Sequence, residues 1–155
     1  MDHSEIEQAI EGCEFFMGLN KRDIKKIGAL GQMVAHEAGE YMFRQGDFEE
    51  NIYIIGEGHV LLERAMDLGS RKGNAVIAVL GKGRVCGCWS TLLGEPLNLM
   101  SSACCRKPTR VVVIRGVDLR AMMAENPGLG FNILERLCFL LRDRVQAAYG
   151  AMDKI

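Results

Sequence analysis

Between Met33 and Ile114, glycine cuts the chain into runs too short for anything but strands. Turn signals fall at Gly39, Gly46, Gly56 with Gly58, Gly69 to Gly73, and Gly81 with Gly83. Between and after them stand the β-prone runs YMFR, NIYII, HVLLER, AVIAVL and RVVVI. About eight short strands separated in this way predict a mainly β fold, an antiparallel double-stranded β-helix or jelly roll with its core between two sheets. A nucleotide-binding α/β fold needs strands alternating with long helices, and that alternation is missing here. Gly81-Lys82-Gly83 lacks the G-K-[ST] ending of a Walker loop and reads as a turn.

Helical spacing flanks this region on both sides. Ser4 with Glu7 and Asn20 with Asp23 have capping-box spacing, the second with a shorter acid than usual. Ile6, Ala9, Ile10 and then Ile24, Ile27, Leu30 recur at helical intervals, so two short helices precede the strands. After them VDLRAMMAE predicts a helix stopped at Asn126-Pro127, because the residue before proline resists the α conformation. A long amphipathic helix follows on Leu134, Leu137, Leu141, Val145 and Ala148, with Ile133, Cys138 and Leu140 widening the stripe. Glu135, Arg136, Arg142, Asp143 and Arg144 are assigned to its solvent side. The stripe suits packing on the β-roll, and it also suits a homodimer joined through Leu134, Leu137, Leu141 and Val145. The expected organisation is one domain over 1–155: helices over 1–31, a β-roll over 32–115 and helices over 117–150.

Composition narrows the function. A net charge of -1 offers no general attraction to nucleic acid or anionic lipid. The start MDHSEIEQAI has no apolar stretch of a signal sequence, and no run approaches the roughly 18 apolar residues of a membrane span, so a cytoplasmic chain is expected. The six cysteines are then expected to be thiols, with Cys86 and Cys88 on one face of a strand and Cys104 and Cys105 on opposite faces. His3, His36 and His59 are scattered, and no H-x-H, H-E-x-x-H or G-x-S-x-G occurs. Neither catalysis nor a metal site is expected.

Three segments carry a resemblance: GEYMFRQGD over Gly39 to Asp47, IYIIGEGHV over Ile52 to Val60, and VLGKGRVCG over Val79 to Gly87. In order and spacing they resemble G-E-x-[ILV]-x-x-[QE]-G-D, Y-x-[IL]-x-x-G-x-[VI] and L-G-x-G-x-x-[FY]-G. Those are signatures of the cyclic-nucleotide-binding domains of the catabolite activator protein and protein kinase A regulatory subunit family. The resemblance covers about Glu14 to Gly150 and implies a regulatory domain with a cyclic nucleotide as its ligand. It also implies where that ligand sits, in a cassette that here occupies 83–103. Family members read there F-G-E-x-[AS]-L-[LI] and then P-R-x-[AS]-[AT]. The start of a short helix and an arginine hold the phosphate, and a glutamate accepts from the ribose 2′-hydroxyl.

This sequence departs from that cassette in its charges. Gly87, Ser90 and Pro96 match, but Cys88 replaces the glutamate and Trp89 follows it. Val85 to Cys105 contain no lysine or arginine, and Leu99 and Met100 are the expected replacements of the phosphate arginine. The implied ligand-binding residues are Gly87, Cys88, Trp89, Ser90, Leu99, Met100, Ser101 and Ser102. The expected function is a non-catalytic sensor or regulatory module that does not bind cAMP or cGMP in the usual way. It would act through an unusual small effector or a partner protein. One alternative is a true cAMP or cGMP receptor in which a remote arginine, Arg84 or Arg106, reaches the site. Another is an apolar-effector or haem sensor using Cys86 or Cys88 with a distant histidine. Few residues follow Gly150, so no direct nucleic-acid contact is expected, and none with a membrane.

Overall fold

The computed structural model describes residues 3–67, 69–95 and 97–154. Helices α1 (His3–Glu11) and α2 (Lys21–Gly28) lead into eight strands: β1 (Gly31–His36), β2 (Tyr41–Phe43), β3 (Asn51–Glu57), β4 (Val60–Asp67), β5 (Lys72–Leu80), β6 (Val85–Gly87), β7 (Ser102–Cys105) and β8 (Thr109–Arg115). A 3-10 helix, Trp89–Leu93, lies between β6 and β7, and α3 (Gly116–Glu125) and α4 (Pro127–Met152) end the chain. This is the jelly roll expected from the glycine spacing.

The strands form two antiparallel sheets, ordered β1-β8-β3-β6 and β2-β7-β4-β5. One core fills the space between them, built on Phe43, Tyr53, Ile55, Val60, Leu62, Leu80 and Val111. The second lies on the outer face of the first sheet, where Ile52, Ile54, Val112 and Ile114 meet Ile6, Ile10, Phe15, Phe16, Ile27, Leu119, Ile133, Leu137 and Leu140. Alternate residues of β3 therefore serve different cores. That explains why NIYII is continuously apolar: a strand covered on both faces has no polar side.

The helices begin where the chemistry dictates. Asn20 Oδ1 accepts from the Asp23 N–H at 2.8 Å, capping α2. Asn126 ends α3 and also caps α4, accepting from the Leu129 N–H at 3.2 Å with Pro127 in the first helical position. Ser4 stands inside α1 rather than capping it. The short cassette helix is held from outside by α3, whose Gly116 sits so close to Thr91 that a Cβ there would meet Thr91 Oγ1 at 1.6 Å.

Helix α4 has two apolar faces. Leu129, Ile133, Leu137 and Leu140 are buried in the helical core. Leu137 is only 3% exposed, so the structure removes it from any dimer surface. Leu134 and Leu141 are half-buried beside the core, while Phe131 (70%) and Val145 (52%) are exposed. Farther along, α4 packs against β5, the edge of the second sheet, and bonds to β6, the edge of the first. It thus crosses the open side of the roll. Among the described residues no helix is long and apolar enough to cross a membrane.

Phe15 is fully buried and joins the α1–α2 connection to the sheet and α4. Phe15→Ala is expected to lower stability by about 3–5 kcal/mol, measured as a shift of the urea midpoint without change of slope.

Candidate functional site

The cassette follows directly from β6. Gly87 has φ of +110°, and a Cβ there would lie 2.5 Å from the Asn51 carbonyl oxygen, so only glycine lets the chain turn off the sheet at this point. The Cys88 N–H then donates to Asn51 O at 3.0 Å, and the Thr91 hydroxyl donates back to Cys88 O at 2.9 Å. The Cys88 thiol is buried, 3.2 Å from Ser90 Oγ and 3.5 Å from the Leu97 carbonyl. It holds together the two arms of the cassette.

The returning arm is tied to the roll. Leu99 exchanges backbone hydrogen bonds of 2.8 Å with the β2–β3 turn, donating to Asp47 O and accepting from the Gly46 N–H. Ser102 Oγ accepts from the Gln45 N–H at 2.8 Å, and an Arg64 guanidinium nitrogen donates to Met100 O at 2.6 Å. At the other end, Arg120 of α3 donates to Leu92 O. Pro96 lies outside the described residues.

Between these arms opens a small cleft with a cavity volume of about 50 Å³, open to solvent at its mouth. Gly87, Cys88, Trp89, Ser90, Leu99, Met100 and Ser101 line it, as the sequence implied, together with Phe43, Leu62, Leu97 and Asn98. Ser102 lies beside the cleft, its hydroxyl engaged with Gln45. Leu99 is buried, whereas Met100 is 54% exposed at the mouth.

One further residue lines the cleft, and it is a cation. Arg144 of α4 reaches in and donates to the carbonyl of Val85 at 2.6 Å. The assignment of Arg144 to the solvent side of the helix is therefore corrected. It lies in the inward phase of Ile133, Leu137 and Leu140 at steps of four, three and four. A charged residue in the apolar phase was the available signal. The remote arginines considered from sequence do not take this place. Arg84 Nε donates to Glu14 Oε2 at 3.1 Å, and Arg106 is exposed, with its backbone N–H on His59 O.

The electrostatics of the guanidinium are unusual. Burial makes its charged form less favourable than in water, against which Cys86 and Glu14 act weakly. No carboxylate of the described residues lies within 4.0 Å of it, since Glu14 is occupied by Arg84 and the Val85 N–H. A second, minute space of about 10 Å³ flanks it, lined by Phe15, Ile52, Val85, Trp89 and Leu140 among others. Among the described residues the cleft thus holds one positive charge, half-buried, between walls that mix polar and apolar side chains.

The cysteines are packed groups. Cys86 and Cys88 are both buried towards the inter-sheet core, and Cys105 is buried while Cys104 is half-exposed on the opposite face. Burial pushes the Cys86 thiol up to about 12. No histidine is among the residues lining the cleft, and His36 instead pairs with Glu40 at 3.2 Å. A protonated thiol without a histidine opposite it does not fit thiolate ligation of haem.

Residues 33–126 match the cyclic nucleotide-binding domain profile. The chain belongs to that family. The fold is similar to a cyclic nucleotide-binding domain from Methylobacillus flagellatus (TM-score 0.76, 23% identity, covering 99% of this chain and 82% of that one). It is also similar to the sensor domain of the transcriptional regulator DNR from Pseudomonas aeruginosa (TM-score 0.74, 17% identity, 93% of each chain). In sequence it is 34% identical over 119 residues to a candidate potassium channel protein of Rhodopseudomonas palustris. The match takes in 76% of this chain but spans only 27% of that relative. The family is thereby one of regulatory domains, and the chain is a regulatory domain of the cyclic-nucleotide-binding fold.

Two buried thiols, Cys13 and Cys86, give this domain an alkaline signature. Each is raised from an ordinary 9.0 to about 12 by burial, so between those values the unfolded chain releases protons that the folded chain keeps. Their contribution is fully present below pH 9.0 and falls as pH rises, by up to about 1.4 kcal/mol per pH unit for each thiol. Urea midpoints at neutral pH and within that window measure the fall. Cys86→Ala is expected to make it shallower.

Proposed function

We propose that this chain is a non-catalytic regulatory domain that binds a small anionic effector in the cleft between the cassette and α4. One observation carries the reading: the Arg144 guanidinium, held in the cleft between cassette and α4 with no carboxylate of the described residues within 4.0 Å. A buried charge is costly until an opposite charge joins it, so an anion gains more here than at an exposed arginine. The charge comes from α4 rather than from the cassette. An effector that engages it thereby touches the helix best placed to transmit its presence.

The same geometry argues against binding cAMP or cGMP in the family's usual way. The cassette offers the phosphate no arginine, and Cys88, already bonded to Ser90 and Leu97, stands where a carboxylate would take the ribose hydroxyl. Each missing charged hydrogen bond costs about 1.5–3 kcal/mol, or roughly ten- to a hundredfold in affinity. Calorimetric titration with both nucleotides is expected to show no submicromolar site. Submicromolar binding of either one would establish a rearranged cyclic-nucleotide receptor instead.

The partner this reading assigns is a second copy of the chain. Phe131, Cys138, Val145 and Met152 stand seven residues apart on the exposed side of α4, with Leu134, Leu141 and Ala148 between them. Such a repeat is self-complementary along a two-helix seam. Light scattering is expected to give a dimer mass for the wild type and a monomer mass for Val145→Asp. An equal mass for both would reject the seam.

A further inference from the structure

Taking the cleft as an anion site, the polarity of its walls narrows what the anion is attached to. The charges lining the cleft reduce to one, the Arg144 guanidinium; Arg64 is outside the lining and donates to the Met100 carbonyl. Among the described residues no carboxylate lines the cleft. Of its polar side chains, Cys88 and Ser90 face each other at 3.2 Å. A ligand hydroxyl would meet neutral partners only, Asn98 and Ser101 among them, and not the carboxylate that a ribose hydroxyl takes in the family's cassette. A nucleotide sugar is poorly served by such walls.

Exposed apolar surface, by contrast, is offered at the rim. Phe43, Leu62 and Leu99 are buried in the wall, and Leu97 and Met100 are exposed at the mouth. Phe48, paired through its backbone with Asn98, is also exposed beside that mouth. An apolar ligand body covering Leu97, Met100 and Phe48 would remove surface that is now in water, with a gain proportional to the area. The guanidinium has five N–H donors in a planar fork, and the Val85 carbonyl takes one of them, leaving a face for a planar two-oxygen acceptor.

We propose that the effector class is a small monoanion with an apolar body, a carboxylate or sulfonate on an aliphatic or aromatic frame. Its head pairs with Arg144 and its body lies against the exposed apolar side chains of the mouth, Leu97 and Met100, with Phe48 beside them. The binding step is noncovalent, and it exchanges water on both partners for a desolvated ion pair and apolar contact.

Octanoate, its neutral counterpart octanol, acetate and cAMP separate the contributions. Trp89, the single tryptophan, lines both spaces beside Arg144, so its emission reports occupancy directly, and thermal melting provides a second readout. Octanoate is expected to give a saturable change and a raised melting temperature, with octanol and acetate each at least about tenfold weaker. Arg144→Gln is expected to lose about tenfold or more for octanoate and to leave the weak octanol response unchanged, while Arg144→Lys keeps part of the affinity. The octanoate, octanol and acetate comparison uses the unmodified chain, so it stands whether or not a variant folds. Octanol binding as tightly as octanoate would overturn the proposal. Tighter binding of cAMP than of octanoate would also overturn it, while leaving an anionic-effector domain in place. A chain that responds to none of the anions would remove both readings.

Discussion

The contact on which the site depends is the hydrogen bond from Arg144 to the carbonyl of Val85. Strand β6 is the outer edge of its sheet, and an edge strand presents backbone groups that its own sheet cannot pair. One of them is satisfied here by a side chain from the terminal helix. The bond reaches from α4 to that edge and places a positive charge where the cassette supplies none. The polarity of the site thus comes from this residue, while the packing of α4 on β5 and in the helical core carries the closure of the fold. The helix reaches β5 as well, so both sheet edges are bridged by the same element.

The remaining architecture can be understood as the support of that arrangement. Strand β3, buried on both faces, is shared by the two cores, so the helical layer and the interior of the roll cannot shift independently. Glu14 ties the connection after α1 to β6 through the Val85 N–H, at 2.7 Å, opposite in sense to the Arg144 bond on the Val85 carbonyl. The cassette helix is clamped between Cys88, bonded to β3, and α3, which holds Leu92 O through Arg120 and touches Thr91 at Gly116. A change in the cleft therefore has a short covalent and packed route to α3 and α4. Preorganisation of this kind lowers the ordering cost of binding.

Much of this was legible in the residues. The turn glycines and alternating runs gave the jelly roll because a positive φ and a period of two are local properties. Asn20 marked the start of α2 by its capping-box spacing and Asn126-Pro127 the end of α3, while the capping of α4 by Asn126 emerges only in the structure. The cassette residues came out of the resemblance, and the cleft does gather Gly87 through Ser90 with Leu99 to Ser101. Arg144 and Leu137 were misread from a common cause. Both lie on a helix with two apolar faces, and periodicity alone cannot say which face meets the core, nor that a charged residue in the inward phase meets a sheet edge rather than water. Phe43 and Leu62 were missed as lining residues because they come from strands far away in sequence, brought to the cleft only by sheet pairing.

The account rests on Arg144 being kept for a ligand rather than for the fold. The most direct measurement is the ligand-free stability of Arg144→Met, which preserves the apolar stem and removes the charge. Replacing this half-buried guanidinium, which has no carboxylate of the described residues within 4.0 Å, by an apolar group is expected to leave the urea-derived stability within about 1 kcal/mol of the wild type, or to raise it. A loss of about 3 kcal/mol or more would show that the guanidinium is paired and structural, and would contradict the account.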